Sequence, residues 1–291
     1  MKFLIVFIAL LIQNNVPLPQ RSTRSRSFAA WLGFWLQRGF FVRLPRHLKY
    51  SVAVLLPVVL ISAAFYLILP LAWGLVALVL EVALLLYVLS HISFERHLQA
   101  YLQDLEQGDT QGAYHCAEKY LAVPEVALAE DTATLNLQVI RVLLHRWFEY
   151  FFLMVFWYMV ADVPGVLLAW FSVQYARASE CDARAWRYLH WLGWIPARLL
   201  GLTFGLAGNF MRALPVWQRF LWQTQASSAE VLYEVANSAL AHNGEEKQWH
   251  RVDEDAEMAA RELQEWQSLH MRSMSIWMVA IAVATIGGFL L

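Results

Sequence analysis

Cysteine is nearly absent. Cys116 and Cys181 are two among 291 residues, they lie in different polar segments, and no metal-ligand spacing accompanies them. Neither a disulfide framework nor a zinc site is expected, and both thiols read as free and packed. Charge is scarce too: Lys, Arg, Asp and Glu make up 15% of the chain and nearly cancel, at a formal net charge of -1. No broad basic field is available, so no nucleic-acid partner is expected. Also missing are a Walker loop, a dinucleotide glycine fingerprint, an H-E-x-x-H pair, a nucleophile elbow and a protein-kinase signature. His242, His250 and His270 fall in a polar, solvated segment and are not read as metal ligands.

Apolar surface is what the chain has in excess. Apolar residues make up 59% of it, with fourteen tryptophans, a composition far from that of a soluble domain. The expected fold class is all-α: a polytopic integral membrane helix bundle with cytoplasmic amphipathic helices, forming one domain over 1–291. Membrane elements are expected near 1–16, 50–69, 74–89, 147–161, 166–176 and 273–291, with a partial one at 199–208. The first lacks the small-residue exit of a cleaved signal and reads as a retained helix. A break at 70–73 makes a tight hairpin of the second and third. Asp162-Val163-Pro164-Gly165 turns the aromatic run that begins at Trp147.

Cytoplasmic segments are expected at 17–49, 91–144, 177–190 and 215–271. Arg21, Arg24, Arg26, Arg38, Arg43, Arg46 and Lys49 occupy the first of these with no acid among them, which holds it inside the cell. In the second, Phe94, Leu98, Tyr101 and Leu105 recur at helical spacing, Gln107-Gly108-Asp109 stops the helix, and Ala113, Ala117, Tyr120 and Leu121 start another stripe. Val252, Ala256, Ala259, Leu263 and Trp266 form a heptad stripe, expected to lie on the protein's own bundle rather than to zip a dimer. Gly201, Gly205 and Gly208 lie near one face, the small-xxx-small arrangement that lets helix backbones approach.

Seven residues stand out as ligand-binding candidates: Glu81, Arg141, His145, Glu149, His190, Pro196 and Arg198. Glu81 sits mid-way along an apolar helix, where an exposed carboxylate costs about 3 kcal/mol. It should face protein, with Arg198 or His190 as the partner that would keep it ionised. Gln138, Arg141, His145 and Glu149 follow one helical face, either as the wall of an anion pocket with Glu149 paired to His145, or as an amphipathic entrance to a span. Pro196 suits a first helical turn, so the amides after it and the Arg198 guanidinium could converge on one anion; the alternative is Arg198 snorkelling beside tryptophan anchors. Arg177, Arg184, Arg187 and His190 lead into that stretch and fit lipid headgroups or an anionic ligand. No catalytic residue and no metal ligand is assigned.

The stretch Trp194-Ile195-Pro196-Ala197-Arg198-Leu199, followed by Ala213-Leu214-Pro215-Val216-Trp217, resembles the AmpE family, a regulatory branch of the CobD/CbiB superfamily. Phe156-Trp157 before a Pro-Gly turn, the early hairpin, the Gln107-Gly108-Asp109 block and the lone last span occur in similar order over essentially the whole chain. The resemblance implies an inner-membrane modulator of the inducible β-lactamase response. Membrane lipids, a protein partner in the inner membrane or a small anionic ligand are its expected contacts, and no cofactor is assigned. The enzyme branch of the superfamily makes adenosylcobinamide phosphate by ATP-dependent amide formation. Where that branch carries acids and an amide before the Phe-Trp pair, this chain has Arg141, His145, Arg146 and Glu149, of which only Glu149 keeps a carboxylate. Where it carries two aspartates and an asparagine, this chain reads Leu189-His190-Trp191-Leu192-Gly193. Those acids would be the hard oxygen donors for magnesium and nucleotide, so the resemblance implies regulation rather than catalysis. A transporter is a further alternative, for which Glu81, Asp162 and the broken helices speak, although no inverted repeat is visible.

Overall fold

The computed structural model describes residues 2–15, 30–33, 45–68, 75–89, 92–121, 123, 131–179, 182–240 and 252–288. Every regular element among the described residues is helical. Three segments there are long and apolar enough to cross a membrane, Leu48–Ile68, Thr132–Ala178 and Met258–Ile286, and Lys2–Gln13 and Leu78–Leu89 are shorter apolar helices. Arg21, Arg24, Arg26, Arg38, Arg43, the break at 70–73, Cys181, His242 and His250 lie outside the described residues.

The chain forms two compact units. The first comprises Met1–Ser90, Glu149–Pro196 and Ala282–Leu291; the second comprises His91–Phe148 and Ala197–Ile281.

In the first unit, α1 (Lys2–Asn15) packs on α4 (Leu75–Leu89), with Val6 and Ala9 of one and Val82 and Leu85 of the other buried. Between them in sequence, α2 (Arg46–Tyr50) passes through a π-helical turn, Ser51–Leu55, into α3 (Leu56–Ile68). Pro57 causes the wide turn. It has no N–H, and its ring crowds the carbonyl four residues back, that of Ala53. The Leu56 amide reaches Ser51, five residues back, and Trp31 Nε1 donates to the Ala53 carbonyl at 3.3 Å.

A second π-helical turn, Phe148–Phe152, leads into α8, Leu153–Ala178, which packs on α3 and α4. Ala161 (φ -135°) and Asp162 (φ 51°) are not helical, so α8 is two helices joined at a corner. A Cβ on Gly165 would overlap the carbonyl oxygen of Trp157. Eight residues of unbroken helix span about 12 Å, so that closeness records a reversal, the turn expected from Asp162-Val163-Pro164-Gly165. Asp162 is the one non-glycine residue at positive φ among the described residues.

The second unit starts with the hairpin of α5 (Ile92–Glu106) and α6 (Thr110–Lys119). Gly108 at φ +70° turns the chain, and the Asp109 carboxylate caps α6 by accepting from the Gly112 amide at 2.9 Å. Leu98, Tyr101, Leu105, Ala113, Ala117 and Leu121 are buried as their spacing predicts; Tyr120 is exposed and stacks on His97 instead. Asp131 caps α7 (Thr132–Trp147) through the Thr134 amide at 2.8 Å.

Two expected segments, the heptad stripe and the last span, are one helix, α12 (Val252–Ile286). Its Ala256, Ala259, Leu263 and Trp266 are buried, and Asn136 of α7 donates to the Ala259 carbonyl at 3.2 Å and to Glu262 at 3.3 Å. His270 is not solvated as its segment suggested: it is buried, its ring stacked on that of Trp147 with centroids 4.3 Å apart.

The polar link at 177–190 and the partial piece at 199–208 also differ from expectation, because Ala183–Ala207 is a single helix, α9. It is followed by α10 (Phe210–Leu221) and α11 (Ser228–Leu240), which pack together. The glycine face of α9 does what its spacing implied: Cβ positions on Gly201, Gly205 and Gly208 would lie 3.2 Å from Trp217, 3.3 Å from Ala213 and 2.6 Å from the Ala239 carbonyl.

Candidate functional site

Polar side chains in the first unit gather at the corner of α8. Glu81, on the half-buried face of α4, accepts a hydrogen bond from the Tyr158 hydroxyl at 2.7 Å. The partner sought in Arg198 or His190 is thus a phenol, which satisfies a carboxyl oxygen without bringing a second charge. Beside it, Lys2 Nζ lies 2.7 Å from the Asp162 carboxylate and donates to the Met159 carbonyl at 3.3 Å. Lys2 serves two needs there. Met159 ends the first half of α8, where carbonyls lack helical donors, and the strained Asp162 is held by the same ammonium.

Glu149 is one of the few charged groups taken fully out of solvent, at 2% exposure. Its carboxylate pairs with the Arg177 guanidinium, which also donates to the Tyr150 hydroxyl at 2.9 Å and lies over that ring at 5.1 Å. Arg177, read from sequence toward headgroups, is the counter-ion of the most buried carboxylate described. The π-helical turn explains why Glu149 leaves the face predicted for it, since an extra residue per turn rotates everything beyond Trp147. Arg141 is exposed, Gln138 and His145 are half-buried, and Glu149 is buried, so the four do not form one seam. Arg141 instead lies over the Tyr233 ring at 4.7 Å, and that ring stacks on Trp266 at 5.7 Å.

Pro196 is the clearest correction. It lies inside α9 rather than at a helix start, and it is buried. The amides after it are helix interior, so they do not open onto an anion. Proline leaves the Leu192 carbonyl without its usual donor, and Trp157 Nε1 supplies one at 3.0 Å. His190, on the same helix, is half-buried with its ring 5.7 Å from that of Trp191.

Arg198 belongs to the second unit and is 3% exposed. Its Nη2 donates to the Gln223 carbonyl at 2.7 Å, and its own carbonyl accepts from Trp217 Nε1 at 2.7 Å. Burial lowers its pKa, yet a guanidinium stays cationic across the working range. The side chain and backbone of one residue thereby hold both α10 and the turn that follows it. Snorkelling to water does not describe a guanidinium enclosed in this way.

Chemically, these groups hold helices. Glu81, Glu149 and Asp162 each engage a donor of the protein, and among the described residues no group of three or more His, Cys, Asp and Glu is placed to hold a metal ion. Sequence reading missed Lys2 and Tyr158 as partners. The signal for Lys2 was a lone cation at the head of an apolar helix, and for Tyr158 a polar tip inside an aromatic run.

Residues 30–291 match the family described as "Regulatory signalling modulator protein AmpE". This chain belongs to the AmpE family. Protein AmpE of Shigella flexneri is 26% identical over 165 residues, which is 50% of this chain and 55% of that protein. Cobalamin biosynthesis protein CobD of Stutzerimonas stutzeri is 28% identical over 155 residues, 48% of this chain and 50% of that protein. The chain thus spans about half the length of the curated relatives it matches. No solved structure matches it. AmpE membership and the three long apolar segments make it a helical membrane protein of a regulatory family, related also to a CobD protein.

Proposed function

We propose that this AmpE-family chain is an inner-membrane regulator that modulates the induced β-lactamase response by binding, and that it does so without turnover. Arg198 carries the reading. An arginine inside a helix bundle that clasps a backbone carbonyl fixes the turn after α10, whose residues Gln223 to Gln225 are exposed, and so presents one shape to a protein partner or a small anionic ligand. The engagement of Glu149 by Arg177 supports the same reading, because the one carboxylate kept from the enzyme branch's set has a protein counter-ion.

The test is β-lactamase induction by a β-lactam in cells lacking the chain, restored with wild type, Arg198→Ala or Arg219→Ala at matched membrane levels. Deletion should change the induction curve, wild type should restore it, and Arg198→Ala should restore less than Arg219→Ala. An unchanged curve on deletion sinks the proposal. The second reading, a CobD-like synthase, is favoured by the CobD match alone. Turnover of ATP and adenosylcobyric acid by the purified protein with Mg²⁺ would replace regulation with that reading.

A further inference from the structure

Helix α10 has two apolar faces. The inner one, with Ala213, Val216, Trp217 and Phe220, packs against α11. At helical spacing the outer sector carries Phe210, Met211, Leu214, Pro215, Leu221 and, just past the end, Trp222, with the exposed Gln218 as its polar member. Met211 and Trp222 are each 81% exposed, the behaviour of surface that something else covers. Along one edge of that sector lie Arg212 and Arg219, seven residues apart and both exposed. From Ala183 to Ala229 the chain has no Asp or Glu, while it carries Arg184, Arg187, Arg198, Arg212 and Arg219.

We propose that α10 lies in the headgroup layer of an anionic bilayer, with Met211, Leu214 and Trp222 in the acyl boundary and Arg212 and Arg219 on lipid phosphates. An apolar sector edged by arginine and closed by tryptophan is the chemistry of an interfacial helix. A soluble protein partner would need acids aimed at the arginines and a matching apolar socket. The bilayer offers both anions and hydrocarbon, and the apolar spans of this same chain already hold it there. With the helix tethered to the membrane, two cations and a short apolar sector suffice, because the local lipid concentration is high. The inner face against α11 fixes which side of α10 turns to lipid.

The test uses the full chain in nanodiscs, with Cys181 replaced by alanine and a nitroxide placed on Met211→Cys. Cys116 stays, since it is buried and burial pushes its thiol up to about 11, out of reach of labelling at neutral pH. In discs containing phosphatidylglycerol the label should be relaxed by oxygen and shielded from a water-soluble nickel chelate. Phosphatidylcholine alone, or Arg212→Gln and Arg219→Gln in phosphatidylglycerol, should shift the label toward water, with the seated-to-released ratio falling about fivefold per arginine. Circular dichroism and the labelled yield separate this from misfolding. Water-like accessibility in every lipid overturns the proposal. So does shielding from both relaxants, which means that protein covers the face, and so does burial indifferent to lipid charge.

Discussion

Trp157 donates its indole N–H to the Leu192 carbonyl at 3.0 Å, four residues ahead of Pro196, and so fills the hydrogen bond that the proline ring cannot make. The two residues should therefore be energetically coupled. Trp157→Phe strands a half-buried carbonyl and should cost about 1–2 kcal/mol. In a Pro196→Ala background the new amide takes that role and the same substitution should cost about 1 kcal/mol less. Thermal unfolding in detergent of the four proteins measures the coupling, and additivity would show the bond to be incidental.

Glu81 and Tyr158 form a second pair. Glu81→Gln keeps an acceptor for the phenol and should stay within about 1 kcal/mol of wild type, whereas Glu81→Ala leaves the hydroxyl without its acceptor and should lose about 1–3 kcal/mol. Adding Tyr158→Phe to Glu81→Ala should recover part of that loss. Equal stability of the Gln and Ala forms would remove this bond from the account.

Removing Arg177 leaves Glu149 buried and uncompensated, so Arg177→Met should destabilise by about 3 kcal/mol or more. Pairing it with Glu149→Gln should lose less than Arg177→Met alone. The comparison reads the ion pair itself, because a merely bulky role for Arg177 predicts that the double variant is the worse of the two.

Acid should loosen α7 from its start. The Thr134 amide and hydroxyl hold the Asp131 carboxyl below the ordinary carboxylate value, so the cap contributes fully above that value. Its contribution is lost as pH falls through the lowered pKa. Asp131→Ala should cost about 1 kcal/mol at neutral pH and should flatten the acid limb of a stability–pH curve. An unaltered acid limb in the variant would assign it to other carboxylates.

How much of this was written in the sequence depends on the range of the interaction. The stripe of Ala256, Ala259, Leu263 and Trp266 and the glycine face at 201, 205 and 208 are local periodicities, and both pack as read. Pro196 misled because proline marks a helix start only where no distant group repairs the lost bond, and Trp157 lies 35 residues away. Glu149 misled because a single π-helical turn, invisible in a 3.6-residue repeat, changes which way every later side chain points. The partners of Glu81 and Asp162 come from helices far apart in sequence, at separations that spacing does not encode.

Asn209 donates its amide to the Ala239 carbonyl at 2.8 Å, so the terminus of α11 is finished by the residue that starts α10. A helical hairpin sealed at its open end tolerates surgery only at its tip. Extra chain spliced in after Thr224, in the exposed bend, leaves both the seal and the Gln223 clasp whole, while a single residue added between Gly208 and Asn209 would pull the ends out of register and let the pair splay.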